Sequence, residues 1–162
     1  MSRSWPEGLM PHVRAARRIV VLSGAGMSAE SGVPVFRGPG GLWEGHRAEE
    51  LATPDAFNRD PATVWRWYRW RLDKVRAVSP HAGYDALTRL RRAGVTLSVV
   101  TQNVDGLHER AGHGPAIELH GTILTARCTR RCGATVAASR DWIRPERKKP
   151  ATCDATPGTG GH

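Results

Sequence analysis

The sequence predicts an α/β fold built on a parallel sheet, and three observations carry that prediction. Two short apolar runs, Arg18-Ile19-Val20-Val21-Leu22 and Val95 to Thr101, have the length and β-branched content of buried strands. Each run leads straight into small or polar residues, Ser23-Gly24 in one case and Gln102-Asn103 in the other. Between the runs lie segments of helical character, and strands that alternate with helices imply parallel pairing through crossovers.

The elements follow in order. A short helix over residues 8–17 leads into the first strand. Residues 31–47 carry seven helix- and strand-breaking residues, from Gly32 and Pro34 to Gly45, and read as a loop long enough to be functional. Leu51 to Asn58 forms a brief helical stretch broken by Pro54. The clearest helix runs from Pro61 to about Val78, with Asp60 as its N-cap and Pro61 at its first position. A second helix spans His81 to Ala93 and stops at Gly94. Val95 to Thr101 is the second buried strand, and Ile117 to Leu119 is a third, shorter one. After Arg127 the character changes to a cysteine-containing, Arg/Lys-rich segment and a tail without periodicity, so the chain divides at residues 1–127 and 128–162.

A length of 162 residues suits one domain. The net charge of +9 comes almost wholly from arginine, since Lys74, Lys148 and Lys149 are the only lysines. The charges are spread along the chain, which reads as a solvated surface rather than a nucleic-acid stripe. Three cysteines, all after residue 127, make no disulfide framework and fit a reducing compartment. No signal peptide or spanning segment is visible, so a cytoplasmic protein is expected.

Four places carry chemistry. Strand, then Gly24-x-Gly26-x-x-Ala29, then a helix start is the setting of a dinucleotide fingerprint in a Rossmann-like sheet. The same spacing also serves as a plain tight turn. No acid-ended second strand follows it, which argues against hydride transfer. Gln102, Asn103 and Asp105 place three polar side chains directly after an apolar strand, at the edge where α/β sheets bind ligands. Asp105 could equally cap the next helix. His120, beyond the third strand, has the side chain best suited to exchange a proton near neutral pH, and a structural role is its plainer reading. Tyr68 and Arg71 stand three apart and share a helix face. That pair can meet a carboxylate with a hydroxyl and a guanidinium fork, or belong to an aromatic helix packed into the core.

Seven stretches in order resemble the sirtuins, the NAD-dependent protein deacylases. They are Gly24 to Gly32, Phe36-Arg37-Gly38, Leu51-Ala52-Thr53-Pro54, Tyr68 with Arg71, Thr101 to His108, Glu118-Leu119-His120-Gly121, and Cys128 with Cys132. The resemblance covers roughly residues 12 to 132. It implies that Gly24, Ala25, Gly26, Ala29, Phe36 and Arg37 shape or close an NAD pocket. It further implies that Asn103 and Asp105 hold the nicotinamide end, that Gln102 meets the ribose, and that His120 is the general base. His108 receives a packing role. The Tyr68/Arg71 pair, with Ala52 upstream, resembles the class III members that remove succinyl and malonyl groups, including bacterial ones that also deacetylate.

By the same resemblance, the acyl-lysine oxygen attacks C1′ of the nicotinamide ribose, nicotinamide leaves, and O-acyl-ADP-ribose and free lysine result. NAD is then a consumed co-substrate. Acyl-lysine proteins or peptides are the expected partners, without membrane or nucleic acid, and the chain is expected to act as a monomer. The family's structural zinc would fall to Cys128, Cys132 and Cys153, an incomplete set of ligands. The Phe-Gly-Glu, Gly-Thr-Ser and adenosine-binding segments of the family are not found. The chain therefore reads as C-terminally truncated, a partial Rossmann-like sheet with the remnant of a zinc module. Alternatives are a catalytically silent NAD-binding remnant and an ADP-ribosyltransferase.

Overall fold

The computed structural model describes residues 6–34, 42–128 and 135–138. A short helix, α1 (Leu9–Ala15), precedes β1 (Arg18–Ser23), and a one-and-a-half-turn helix, α2 (Ala25–Ala29), follows the strand without a spacer beyond Gly24. Next come β2 (Leu42–Trp43), β3 (His46–Arg47), α3 (Ala48–Leu51), α4 (Pro54–Arg59), α5 (Pro61–Arg76) and α6 (Ala82–Arg92). The described chain ends with β4 (Thr96–Thr101), α7 (Leu107–Arg110), β5 (Ile117–Glu118), β6 (Thr125–Arg127) and β7 (Thr135–Ala137).

The central sheet is parallel, in the order β1-β4-β5. Ser23 pairs with Thr101 and Thr101 with Glu118, so all three strands end at one level and their carboxyl ends form one rim. The two apolar runs form the strands expected of them. Ile19, Val21 and Ser23, with their partners Leu97, Val99 and Thr101, face the helices on the covered side. The opposite face is open: Val20 is 73% exposed, Leu22 68% and Ile117 59%, and the register aligns Leu22, Val100 and Ile117 across it. Parallel sheets ordinarily carry cover on both faces.

α5 organises the interior. Val64, Trp67, Leu72 and Val75 recur at helical spacing and are all buried. Val64 and Trp67 pack with Leu51 and Ala56; Leu72 packs with Ile123 and Ala138; Val75 packs with Val33, Tyr84 and Leu107. The helix begins as its sequence requires, with the Thr63 N–H donating to Asp60 Oδ1 at 3.1 Å and Pro61 in the first turn. α6 stops where glycine takes over: Gly94 adopts φ +89, and the Gly94 and Val95 N–H groups donate back to Arg91 and Leu90.

Three differences from the sequence reading have simple causes. The stretch 31–47 contains a small hairpin, β2–β3, closed by Glu44 and Gly45, both at positive φ, a two-residue turn whose strands are too short to show a pattern. The helical stretch around 51–58 is two helices, α3 and α4, because Thr53 accepts from the Ala56 N–H and restarts the helix at Pro54. A second hairpin, β6–β7, joins residues 125–127 to 135–137, and places Ala138 against Leu72 and Ile123. Cys132, Cys153 and the remainder of the expected tail lie outside the described residues. No helix among the described residues is long and apolar enough to cross a membrane.

Candidate active site

Above the rim formed by β1, β4 and β5 lies a cavity of about 450 Å³. From the sheet side it is lined by Gln102, Asn103, Asp105 and His120, and from α2 by Ala25 and Ser28. From the helical side come Ala52, Trp67, Tyr68 and Arg71. The two groups of sequence-predicted residues, separated by 30 or more positions, therefore share one space. Gly24, Gly26 and Ala29 do not line it. Phe36 and Arg37 lie outside the described residues.

The sheet side is fixed by a buried hydrogen-bond network. Asn103 donates both protons of Nδ2, one to the Gly24 carbonyl and one to Ser28 Oγ, each at 2.9 Å. Its backbone N–H donates to Thr101 Oγ1 at 3.0 Å. With both amide protons committed, Asn103 can offer a ligand only its Oδ1, an acceptor. Asp105 is also held as an acceptor: Oδ2 receives the Ser28 hydroxyl at 2.5 Å and Oδ1 the Leu107 N–H at 2.9 Å. Asp105 lies one residue before the N-cap of α7, which is Gly106, so it is not the cap the sequence allowed for; it accepts the first N–H of the helix and faces the cavity. The end of the cavity near these side chains suits a group rich in N–H or O–H donors.

Gly24 and Gly26 have no steric reason of their own to lack a side chain. Neither has positive φ, and a Cβ on either would meet no atom within 4 Å. The missing side chains leave an open cradle over the start of α2, the feature a bound pyrophosphate requires. His120 is exposed and sits one residue past the Leu119 N–H, which donates to Thr101 at 2.9 Å, in a turn that Gly121 closes at φ +69. Strand pairing therefore places the imidazole at the rim.

On the helical side, Arg71 is laid against aromatic rings. Its guanidinium carbon is 4.6 Å from the Trp67 ring centroid and 5.7 Å from that of Tyr68, and the two rings meet edge-on at 4.7 Å. Burial pushes the Arg71 pKa down, while Tyr68 and Asp105 favour its charged form. An arginine stays protonated through such a shift, so the cavity holds a partly desolvated cation. Ala52, at the end of α3, contributes no bulk. Tyr68 and Ala52 also line an adjoining pocket with Thr53 and Phe57, so the helical end of the space is extended.

Ser28, Ser23 and Thr101 were not singled out by the sequence, though they build the network. Their signal was available: Ser23 and Thr101 are the polar last residues of two apolar strands that a parallel register must bring together. Cys128 is half-buried after β6. Among the described residues no group of three or more His, Cys, Asp and Glu side chains is arranged to hold a metal ion.

The Sir2 family model matches residues 24–159. The chain belongs to the Sir2 family. That match runs past Cys132, where the recognisable motifs end. The chain is 52% identical over 139 residues to NAD-dependent protein deacylase 2 of Pyrobaculum aerophilum, covering 86% of this chain and 54% of that protein. It is 49% identical over 146 residues to an NAD-dependent protein deacylase of Aeropyrum pernix, covering 90% of this chain and 56% of that one. A solved Sir2 homologue in complex with NAD superimposes with a TM-score of 0.74 at 47% identity, over 80% of this chain and 50% of its own. The chain spans about half the length of the curated relatives it matches. The α/β class with a Rossmann-like parallel sheet agrees with these neighbours.

Proposed function

We propose that the chain carries the nicotinamide and acyl ends of an NAD-dependent protein-lysine deacylase site, with acidic acyl groups such as succinyl and malonyl accepted beside acetyl. The observation that supports this reading most is the single cavity, acceptor-lined at the sheet and cationic at α5. NAD fits the residues present. The glycine cradle leaves room for its pyrophosphate, and Asn103 Oδ1 and the Asp105 carboxylate can accept from its carboxamide and ribose hydroxyls.

Bound there, NAD supplies an electrophilic ribose carbon and nicotinamide as the leaving group. The protein's part is positional and protic. With NAD bound, Asn103 and Asp105 would hold the nicotinamide end, Gln102 would meet the ribose, and His120 would serve as the base for the ribose hydroxyls. On the other side Arg71 and Tyr68 bind the distal carboxylate of the acyl chain, and Ala52 leaves space for its length. A closed structural zinc site needs four ligands, and Cys128, Cys132 and Cys153 supply three, so no part of this mechanism relies on zinc. Cysteines without a disulfide framework support a cytoplasmic setting.

The test is nicotinamide release from NAD in the presence of acetyl- and succinyl-lysine peptides. Release that is peptide-dependent and lost in His120→Ala is expected. A parent chain that binds NAD yet releases none would favour a second reading, a silent NAD-binding piece. The exposed apolar face at Val20, Leu22 and Ile117 supports that alternative. Label transferred from NAD to protein instead of acyl product would indicate ADP-ribosyl transfer.

A further inference from the structure

His108 is 2% exposed and lies on α7 beneath the cavity rather than in it. Its Nε2 is 2.8 Å from Ser23 Oγ, across 85 residues of sequence. Ser23 Oγ in turn donates to Thr101 Oγ1 at 2.8 Å, and Thr101 Oγ1 accepts the Asn103 N–H at 3.0 Å. A serine hydroxyl has one proton. Once it is given to Thr101, the Ser23 oxygen can only accept from His108, so Nε2 carries the imidazole hydrogen. Nδ1 is then a bare lone pair, and it is buried with no hydrogen-bond partner among the described residues. The reverse order, with the proton on Nδ1, would bury an N–H donor with nothing to receive it, which is the costlier arrangement.

The direction of this chain matters at its far end. Thr101 Oγ1 receives two donors, Ser23 and the Asn103 backbone, and Asn103 then spends both side-chain protons on Gly24 and Ser28. Three hydrogen bonds thus aim Asn103 Oδ1, the one polar atom of that side chain left for a ligand. We propose that His108 is a positioning residue: through Ser23 and Thr101 it sets the orientation of Asn103 at the donor-binding end of the cavity. The link to nicotinamide rests on the function proposed above; the link from His108 to Asn103 does not.

A packing role is the rival account, because the His108 ring also meets Tyr84 edge-on at 4.8 Å and His113 at 5.3 Å. His113 supplies the control. It is also buried and in the same ring stack, but its Nε2 lies 3.2 Å from the Tyr84 carbonyl, whereas that of His108 meets Ser23. His108→Leu keeps bulk and removes the donor. His108→Gln carries an amide N–H to about the place of Nε2, and so should restore the chain.

The experiment combines NMR with calorimetry, using free nicotinamide and an acyl-lysine peptide as probes. In the parent, His108 should show the Nε2–H tautomer by long-range proton–nitrogen correlation. His108→Leu should move the backbone and side-chain amide signals of Asn103, while His113→Leu leaves them in place. His108→Leu should weaken nicotinamide binding about five- to tenfold, the effect of one misplaced hydrogen bond, with peptide affinity within about twofold. His108→Gln should recover most of that loss. An Nδ1–H tautomer overturns the proposal. So does a Gln variant no better than Leu, or equal Asn103 shifts from the His108 and His113 variants. If the parent binds no nicotinamide, the proposed function falls, and the Asn103 signals alone decide the positioning role. If His108→Leu does not fold, the parent tautomer and the Gln variant decide it.

Discussion

Replacing Asp105 separates its two hydrogen bonds, and the structure sets the size of each effect. The side chain is 5% exposed and receives the Ser28 hydroxyl and the Leu107 N–H. Asp105→Ala leaves both donors buried without acceptors, at about 1–3 kcal/mol each, offset in part because no carboxylate need be desolvated. A net loss of roughly 2–4 kcal/mol follows. Asp105→Asn keeps an oxygen for Leu107 but turns an N–H2 group toward Ser28. Ser28 must then accept where it had donated, and a charge-assisted bond of about 1.5–3 kcal/mol is lost. The Asn variant should therefore fall between the parent and Ala. Urea unfolding with the slope held constant measures both differences. Two variants within about 0.5 kcal/mol of the parent would refute the network, since that is the range of a surface change. Asn as damaging as Ala would mean that the Leu107 bond contributes nothing.

Two further outcomes follow from burial. His108 and His113 both have pKa values lowered, chiefly by burial, with His113 adding to the effect on His108 and Arg91 to that on His113. The folded state therefore binds fewer protons than the unfolded one as pH falls through the ordinary histidine value near 6.5. Stability should be flat above neutrality, decline from about pH 6.5 downward, and level off below the depressed folded values; pH-dependent urea midpoints read this, and the decline should shrink in His113→Gln. Leu22→Thr should change stability by less than about 0.5 kcal/mol, because 68% of Leu22 is already exposed. A loss of more than about 2 kcal/mol in thermal or urea unfolding would show that the open sheet face is covered in solution.

Much of the architecture was legible because its signals are local. The runs at 18–22 and 95–101 are dense in β-branched residues, Asp60-Pro61 opens α5, and Gly94 ends α6, each decided by a few neighbouring residues. What was not legible depended on distance or brevity. β2–β3 and β6–β7 are strands of two and three residues, below the length at which alternation shows. α7 is one turn, too short for periodicity to show, and begins at Gly106 with the Leu107 N–H donating to Asp105 Oδ1. The site divides in the same way. Asn103, Asp105 and His120 stood out by type and position; Ser23 carried a weaker signal as the polar end of an apolar strand, and Ser28 became visible only once α2 brought it to Asp105, 77 residues away. Even His108, inside a recognisable motif, showed only a packing role until its Nε2 was placed against Ser23.

The shared cavity makes two chemically different ends, and binding measurements on two variants test that directly. Succinyl-lysine peptide and nicotinamide are titrated separately into the parent, Arg71→Met and Asn103→Ala. The account predicts that Arg71→Met weakens succinyl-peptide binding about tenfold or more, as loss of a bond to a charged group should, and leaves nicotinamide unchanged. Asn103→Ala should do the converse. Variants that weaken both ligands alike, or neither, would contradict it.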